Sequence, residues 1–116
     1  MLKNILIVVS DIEQSKRFYQ EVFGLRVVSD FGDNVILTEG LVLQAQKSWE
    51  QLIETDIVTG NASELFFAED NMEAFLCLLE NFLDARIVMD VRENSWGKRV
   101  VMLQDPDGHL IEVAER

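Results

Sequence analysis

The stretch ILIVVSDIEQSKRFYQEVFG, residues 5–24, decides the fold. Ile5 to Val9 is a short apolar run rich in β-branched residues, which predicts a strand, and its length is far below that of a membrane span. Ser10 and Asp11 follow as cap candidates, and Asp11 with Gln14 three residues later has the spacing of a capping box. Ile12, Phe18, Tyr19, Val22 and Phe23 then form a stripe near the 3.6-residue period, and Gly24 stands where a helix would stop.

About 60 residues later the same pattern returns. Leu65 to Ala68 reads as a strand, and Asp70 with Glu73 repeats the cap spacing. Met72, Phe75, Leu76, Leu79, Phe82 and Leu83 supply a second helical stripe. Each helix leads into three more extended runs. In the first copy they are Leu25 to Ser29, Val35 to Thr38 and Leu41 to Gln46; in the second, Arg86 to Met89, Arg99 to Leu103 and Leu110 to Ala114. Gly40 and Gly108 mark equivalent turns, and Asp105-Pro106-Asp107-Gly108 has the residue order of a type I turn between antiparallel strands.

The expected fold is therefore α+β: two βαβββ modules in one chain, residues 1–46 and 62–116, joined by a link over 47–61. Together they form a single domain. A four-stranded sheet with one helix leaves its other face bare, so the modules are expected to build a curved mixed sheet around a cupped cavity.

Composition narrows the function. The 116 residues are 48% hydrophobic with a net charge of −11, which suits one acidic domain and excludes nucleic acid or an anionic membrane as a partner. A cationic ligand would be favoured. Cys77 is the only cysteine and His109 the only histidine, so disulfides within the chain, cysteine clusters and two-histidine iron sites are excluded; a cytoplasmic setting is expected. The glycines stand near turns rather than in a phosphate loop. Ser10 and Ser15 have no histidine at a plausible spacing for nucleophilic catalysis.

The combination Val9-Ser10-Asp11, Ser15, Phe18-Tyr19, Phe23-Gly24-Leu25, Trp96-Gly97-Lys98-Arg99 and Asp105-Pro106-Asp107-Gly108-His109-Leu110-Ile111-Glu112 resembles the vicinal oxygen chelate superfamily. The resemblance is closest to its glyoxalase and bleomycin-resistance branch, and it covers nearly the whole chain. It implies paired βαβββ modules, a homodimer, and four positions where metal-dependent members place ligands. Carried over by the motifs, these are Asn4, Gln44, Glu64 and Glu112.

Two of the four are neutral amides and none is histidine, a poor donor set for zinc, nickel or iron. The expectation is a small-molecule binding protein with no metal or other cofactor. Its ligand would be bounded by Asn4, Gln44, Glu64, Phe66 and Glu112, with Trp96 at the mouth. Strand alternation supports the set, placing Gln44 beside Val42 and Glu112 beside Leu110. Trp49 and Trp96 fall in or beside connections, while Lys98 and Arg99 read as exposed charges at a sheet edge. His109 reads as a surface residue.

One alternative is a lyase, isomerase or epimerase. It would use Glu64 and Glu112 as an acid/base pair, or as ligands of an oxygen-coordinated divalent metal such as magnesium or manganese. Another is a regulatory dimer with a vestigial, self-filled cavity.

Overall fold

A computed structural model describes residues 1–58 and 60–116; Thr59, inside the expected link, lies outside the described residues. The chain divides into two compact units, Met1–Val58 and Thr59–Arg116.

Unit 1 runs β1 (Ile5–Val9), α1 (Ile12–Phe23), β2 (Val27–Asp30), β3 (Asn34–Leu37), a short 3-10 turn (Thr38–Gly40), β4 (Leu41–Ala45) and α2 (Gln46–Ile53). Its sheet has the order β1-β4-β3-β2, with β1 parallel to β4 and the remaining pairs antiparallel. Asp11 caps α1 by accepting a hydrogen bond from the Gln14 N–H at 3.1 Å, which satisfies one of the donors a helix start leaves open. At the other end Gly24 takes φ 70°, where a side chain would be strained, and its N–H returns to the Gln20 carbonyl.

The helix buries Ser15, Phe18, Tyr19 and Val22. On the sheet, Val9, Val35, Leu37 and Leu43 are no more than 1% exposed. Phe18 and Tyr19 meet edge to face with ring centroids 5.0 Å apart, adding aromatic contact to the area buried.

Unit 2 repeats the design with β5 (Glu64–Glu69), α3 (Met72–Leu79), β6 (Arg86–Glu93), β7 (Arg99–Gln104) and β8 (Leu110–Glu115). The order β5-β8-β7-β6 matches that of unit 1 strand for strand, again with the first pair parallel. Val101, Leu103, Ile111 and Val113 are fully buried on one face, and α3 turns Met72, Phe75 and Leu79 inward. The two βαβββ modules thus stand as expected, each with its own four-stranded mixed sheet.

Four local readings change. The helix cap is Asn71, whose side chain accepts from the Ala74 N–H, while Asp70 pairs with Arg116 at 2.7 Å. Helix α3 ends at Leu79; the Asn81 and Phe82 N–H groups bond three residues back, tightening the chain into turns, and Leu83 is left exposed. Strand β6 extends to Glu93 and carries two register irregularities against β7. The link is not wholly irregular, because its first half is α2.

The Asp105–Gly108 turn closes as expected. The Gly108 N–H reaches the Asp105 carbonyl at 3.0 Å, and the buried Asp105 carboxylate accepts from the N–H groups of Asp107 and His109, both at 2.9 Å. Among the described residues, no helix is long and apolar enough to cross a membrane.

Candidate functional site

Unit 2 has two sheet faces: α3 belongs to the core on one, and the other carries exposed Glu64, Phe66 and Ala68 beside buried Val100 and Ala114. Register assigns the residues of the other. One row across it is Phe66, Glu112, Met102 and Met89; the rows on either side are Glu64, Leu110, Gln104 and Arg86, and Ala68, Ala114, Val100 and Arg92. Carboxylates, thioethers and one aromatic ring therefore share a surface because strand alternation sends these positions the same way.

Glu64 and Glu112 lie on neighbouring strands, offset by one step of alternation, and alternation sends both to one face of the sheet. Partial loss of solvent, then the neighbouring Glu112 carboxyl with its like charge, raise the Glu64 pKa above the ordinary carboxylate value. Phe66, the register partner of Glu112, is 60% exposed although it is large and apolar. The arrangement offers a ligand two neighbouring carboxyl groups beside an aromatic face.

Trp96 is placed elsewhere. It occupies the tip of the β6–β7 hairpin and is 82% exposed. The Asn94 side chain orders that tip by accepting from the Trp96 and Lys98 N–H groups at 3.0 and 3.1 Å. The hairpin lies at the Arg99 end of β7, whereas Glu64 aligns with Leu110 and Gln104 at the opposite end. From Met102, level with Glu112, to Arg99 is already about 10 Å of strand.

Lys98 and Arg99 also find a different role. Strand β7 is interior, not an edge, and Arg99 is held by Glu115 through its backbone N–H at 2.6 Å and its guanidinium at 3.1 Å. Glu73 on α3 is a second ion-pair partner at 3.6 Å. The Lys98 ammonium donates to the Arg116 carbonyl at 3.2 Å. Sequence reasoning missed the Arg99–Glu115 pair, and only the β7–β8 register could have revealed it.

Asn4 and Gln44 belong to unit 1, and the register separates them. Val8 is level with Gln44 and Ile5 with Leu41, so Asn4, one residue before Ile5, is level with Gly40. That is four positions from Gln44, about 13 Å along the strands. Asn4 is exposed. The Gln44 amide accepts from Asn34 Nδ2 and donates to Ser48 Oγ, both at 2.7 Å, so both of its ends are engaged.

A metal can be tested against these donors. Among the described residues no group of three or more His, Cys, Asp or Glu side chains could hold an ion. Within unit 2 the four positions contribute two carboxylates and no imidazole, which falls short of a zinc or non-haem iron site. No step is assigned to a metal.

Structural comparison places the fold among known proteins. A protein of unknown function from Agrobacterium tumefaciens is 28% identical, with a TM-score of 0.84 over 98% of this chain and 92% of that one. A glyoxalase/bleomycin resistance protein/dioxygenase family enzyme from Burkholderia phytofirmans is 22% identical, also with a TM-score of 0.84, covering 98% and 97%. A lactoylglutathione lyase from Agrobacterium tumefaciens is 22% identical with a TM-score of 0.73, covering 97% and 90%. No curated protein sequence matches. The glyoxalase-like domain model matches residues 2–116, and with the duplicated βαβββ architecture it makes this chain a member of the glyoxalase-like family within the vicinal oxygen chelate superfamily.

Proposed function

We propose that this protein binds a small molecule on the open face of unit 2, at Glu64, Phe66 and Glu112, without a transition metal. The observation that carries the reading is the carboxyl pair beside an exposed aromatic ring. Glu115 is tied to Arg99, whereas Glu64 has another acid, Glu112, as its neighbour. Such a pair suits an organic cation or a polar aromatic molecule that can offset the carboxylate charge and stack on Phe66.

The same reading carries a cytoplasmic homodimer that does not bind nucleic acid. The net charge of −11 supports the last point. The exposed apolar residues Ile87, Val88 and Val91 on β6 support a partner surface. Sedimentation showing only monomer at tens of micromolar would remove the dimer from the proposal.

A thermal-shift screen of small organic cations and aromatic amines tests the binding reading. A hit should be lost in Glu112→Gln and retained in Glu21→Gln, a change at an exposed position of α1 in the other unit. Equal binding by the two variants would reject the site. One observation also favours an enzymatic reading: a carboxyl with a raised pKa next to an ionisable partner is equipped for proton transfer beside a carbonyl. Turnover of a bound carbonyl compound, abolished in Glu64→Gln with binding intact, would establish it.

A further inference from the structure

In unit 1 β4 passes directly into α2, which packs against β4 and β1. The hydrogen bond from Gln44 to Ser48 fixes the side on which α2 lies, because Gln44 shares its face with Val8, Leu6 and Val42 and not with the Leu43 core. We propose that α2 is a hinged lid over this face of unit 1, able to lift and uncover Leu6, Val8, Val42 and the Gln44 amide.

The helix is weakly held at every level. It has eight residues, short for a stable helix, and buries none of them fully. Ala45 at its N-cap offers no side-chain hydrogen bond, its first turn has no acidic residue and its last turn no basic one. It stops at Glu54 in the left-handed conformation with φ 58°, a strained position for a residue with a side chain. What keeps it closed is a small polar latch. Gln44 donates to Ser48 at 2.7 Å, Ser48 donates to the Ala45 carbonyl at 3.0 Å, and Glu50 accepts from the Ile57 N–H at 3.1 Å.

Lifting α2 would release one end of the Gln44 amide and expose Val42, which is 4% exposed when the lid is down. The uncovered surface carries Leu6, Val8, Ile36 and Val42 together with two amides, Gln44 and its hydrogen-bonded partner Asn34. The motion is separate from the site proposed on unit 2, and it can be measured without any ligand and without reference to Glu64 or Glu112.

Amide hydrogen exchange on the intact protein, followed by mass spectrometry or NMR, reads the hinge directly. The α2 amides should exchange at least about tenfold faster than those of β4, reporting local opening. Ser48→Ala, which cuts the latch, should speed α2 exchange several-fold and leave β4 unchanged. Glu54→Gly, which relieves the left-handed strain, should slow it. Exchange of α2 and β4 at one common rate would overturn the lid, as would variants that alter both elements together or neither.

Discussion

Glu64 and Glu112 stand on one face of the parallel strands β5 and β8, each displaced by one alternation step from the other's register partner. The placement follows from topology. Parallel pairing aligns Glu64 with Leu110 and Phe66 with Glu112, so both acids must emerge on one face. Like charges on neighbouring strands repel, which adds to desolvation in favouring the protonated form of Glu64.

The raised Glu64 pKa gives stability a pH dependence whose sign is set. The Glu64 pKa is raised in the folded protein, first by desolvation and then by Glu112, so the folded state holds a proton where the unfolded state has lost it. The pair's contribution should be greatest below the ordinary carboxylate value of 4.5 and decline as pH rises from there through the raised value. Thermal midpoints measured across that window in the parent and in Glu64→Gln should converge at the acidic end. The parent should fall below the variant at the alkaline end, and a constant difference would contradict the raised pKa of Glu64.

Arg99 and Glu115 should show the opposite slope. The Arg99 guanidinium and backbone N–H hold the Glu115 carboxyl below its usual range. Their stabilisation is present above the unfolded carboxylate value and is lost as pH falls through the lowered one. Glu115→Gln should therefore weaken the protein at neutral pH and approach the parent in acid. Denaturant midpoints at both pH values, with equal slopes, provide the check.

Much of this fold is legible in the sequence because its signals are local. The run Ile5 to Val9, the Asp11 cap, the stripe through Tyr19 and the stop at Gly24 agree with one another, and the second copy repeats them. Helix α2 was less legible although Trp49, Leu52 and Ile53 have helical spacing, because Ala45 supplies no start signal and the helix follows its strand without a loop. The length of β6 and its irregularities depend on pairing with β7, which no local pattern encodes. The candidate site divides in the same way. Alternation placed Glu112 with Leu110 and Glu64 with Phe66, while the separation of Asn4 from Gln44 and of Trp96 from the carboxyl pair follows from register and hairpin geometry.

The burial pattern predicts how unevenly substitutions will act. Leu43 is fully buried in the unit 1 core, so Leu43→Ala should cost about 2–5 kcal/mol through lost transfer energy and an unfilled cavity. Leu52 on α2 is 73% exposed, and Leu52→Ala should change stability by only about 0.5 kcal/mol. Urea unfolding of both variants distinguishes a helix packed as firmly as the core from one that rests on it.

The two exposed aromatic residues of unit 2 should differ in their effect on binding. Phe66 is the register partner of Glu112 and lies on the face that carries the acidic pair. Trp96 projects from the hairpin at the far end of β7, so a small ligand centred on the carboxyls would not reach it. A cation stacked on Phe66 loses an interaction of about 0.5–2 kcal/mol when the ring is removed. Phe66→Ala should then weaken affinity by roughly 2- to 30-fold, the same energy expressed as a ratio at 1.4 kcal/mol per decade. Trp96→Ala should leave affinity unchanged. Titration calorimetry with a hit from the cation screen decides between them, and a larger loss from Trp96→Ala would move the binding site from the sheet face to the hairpin.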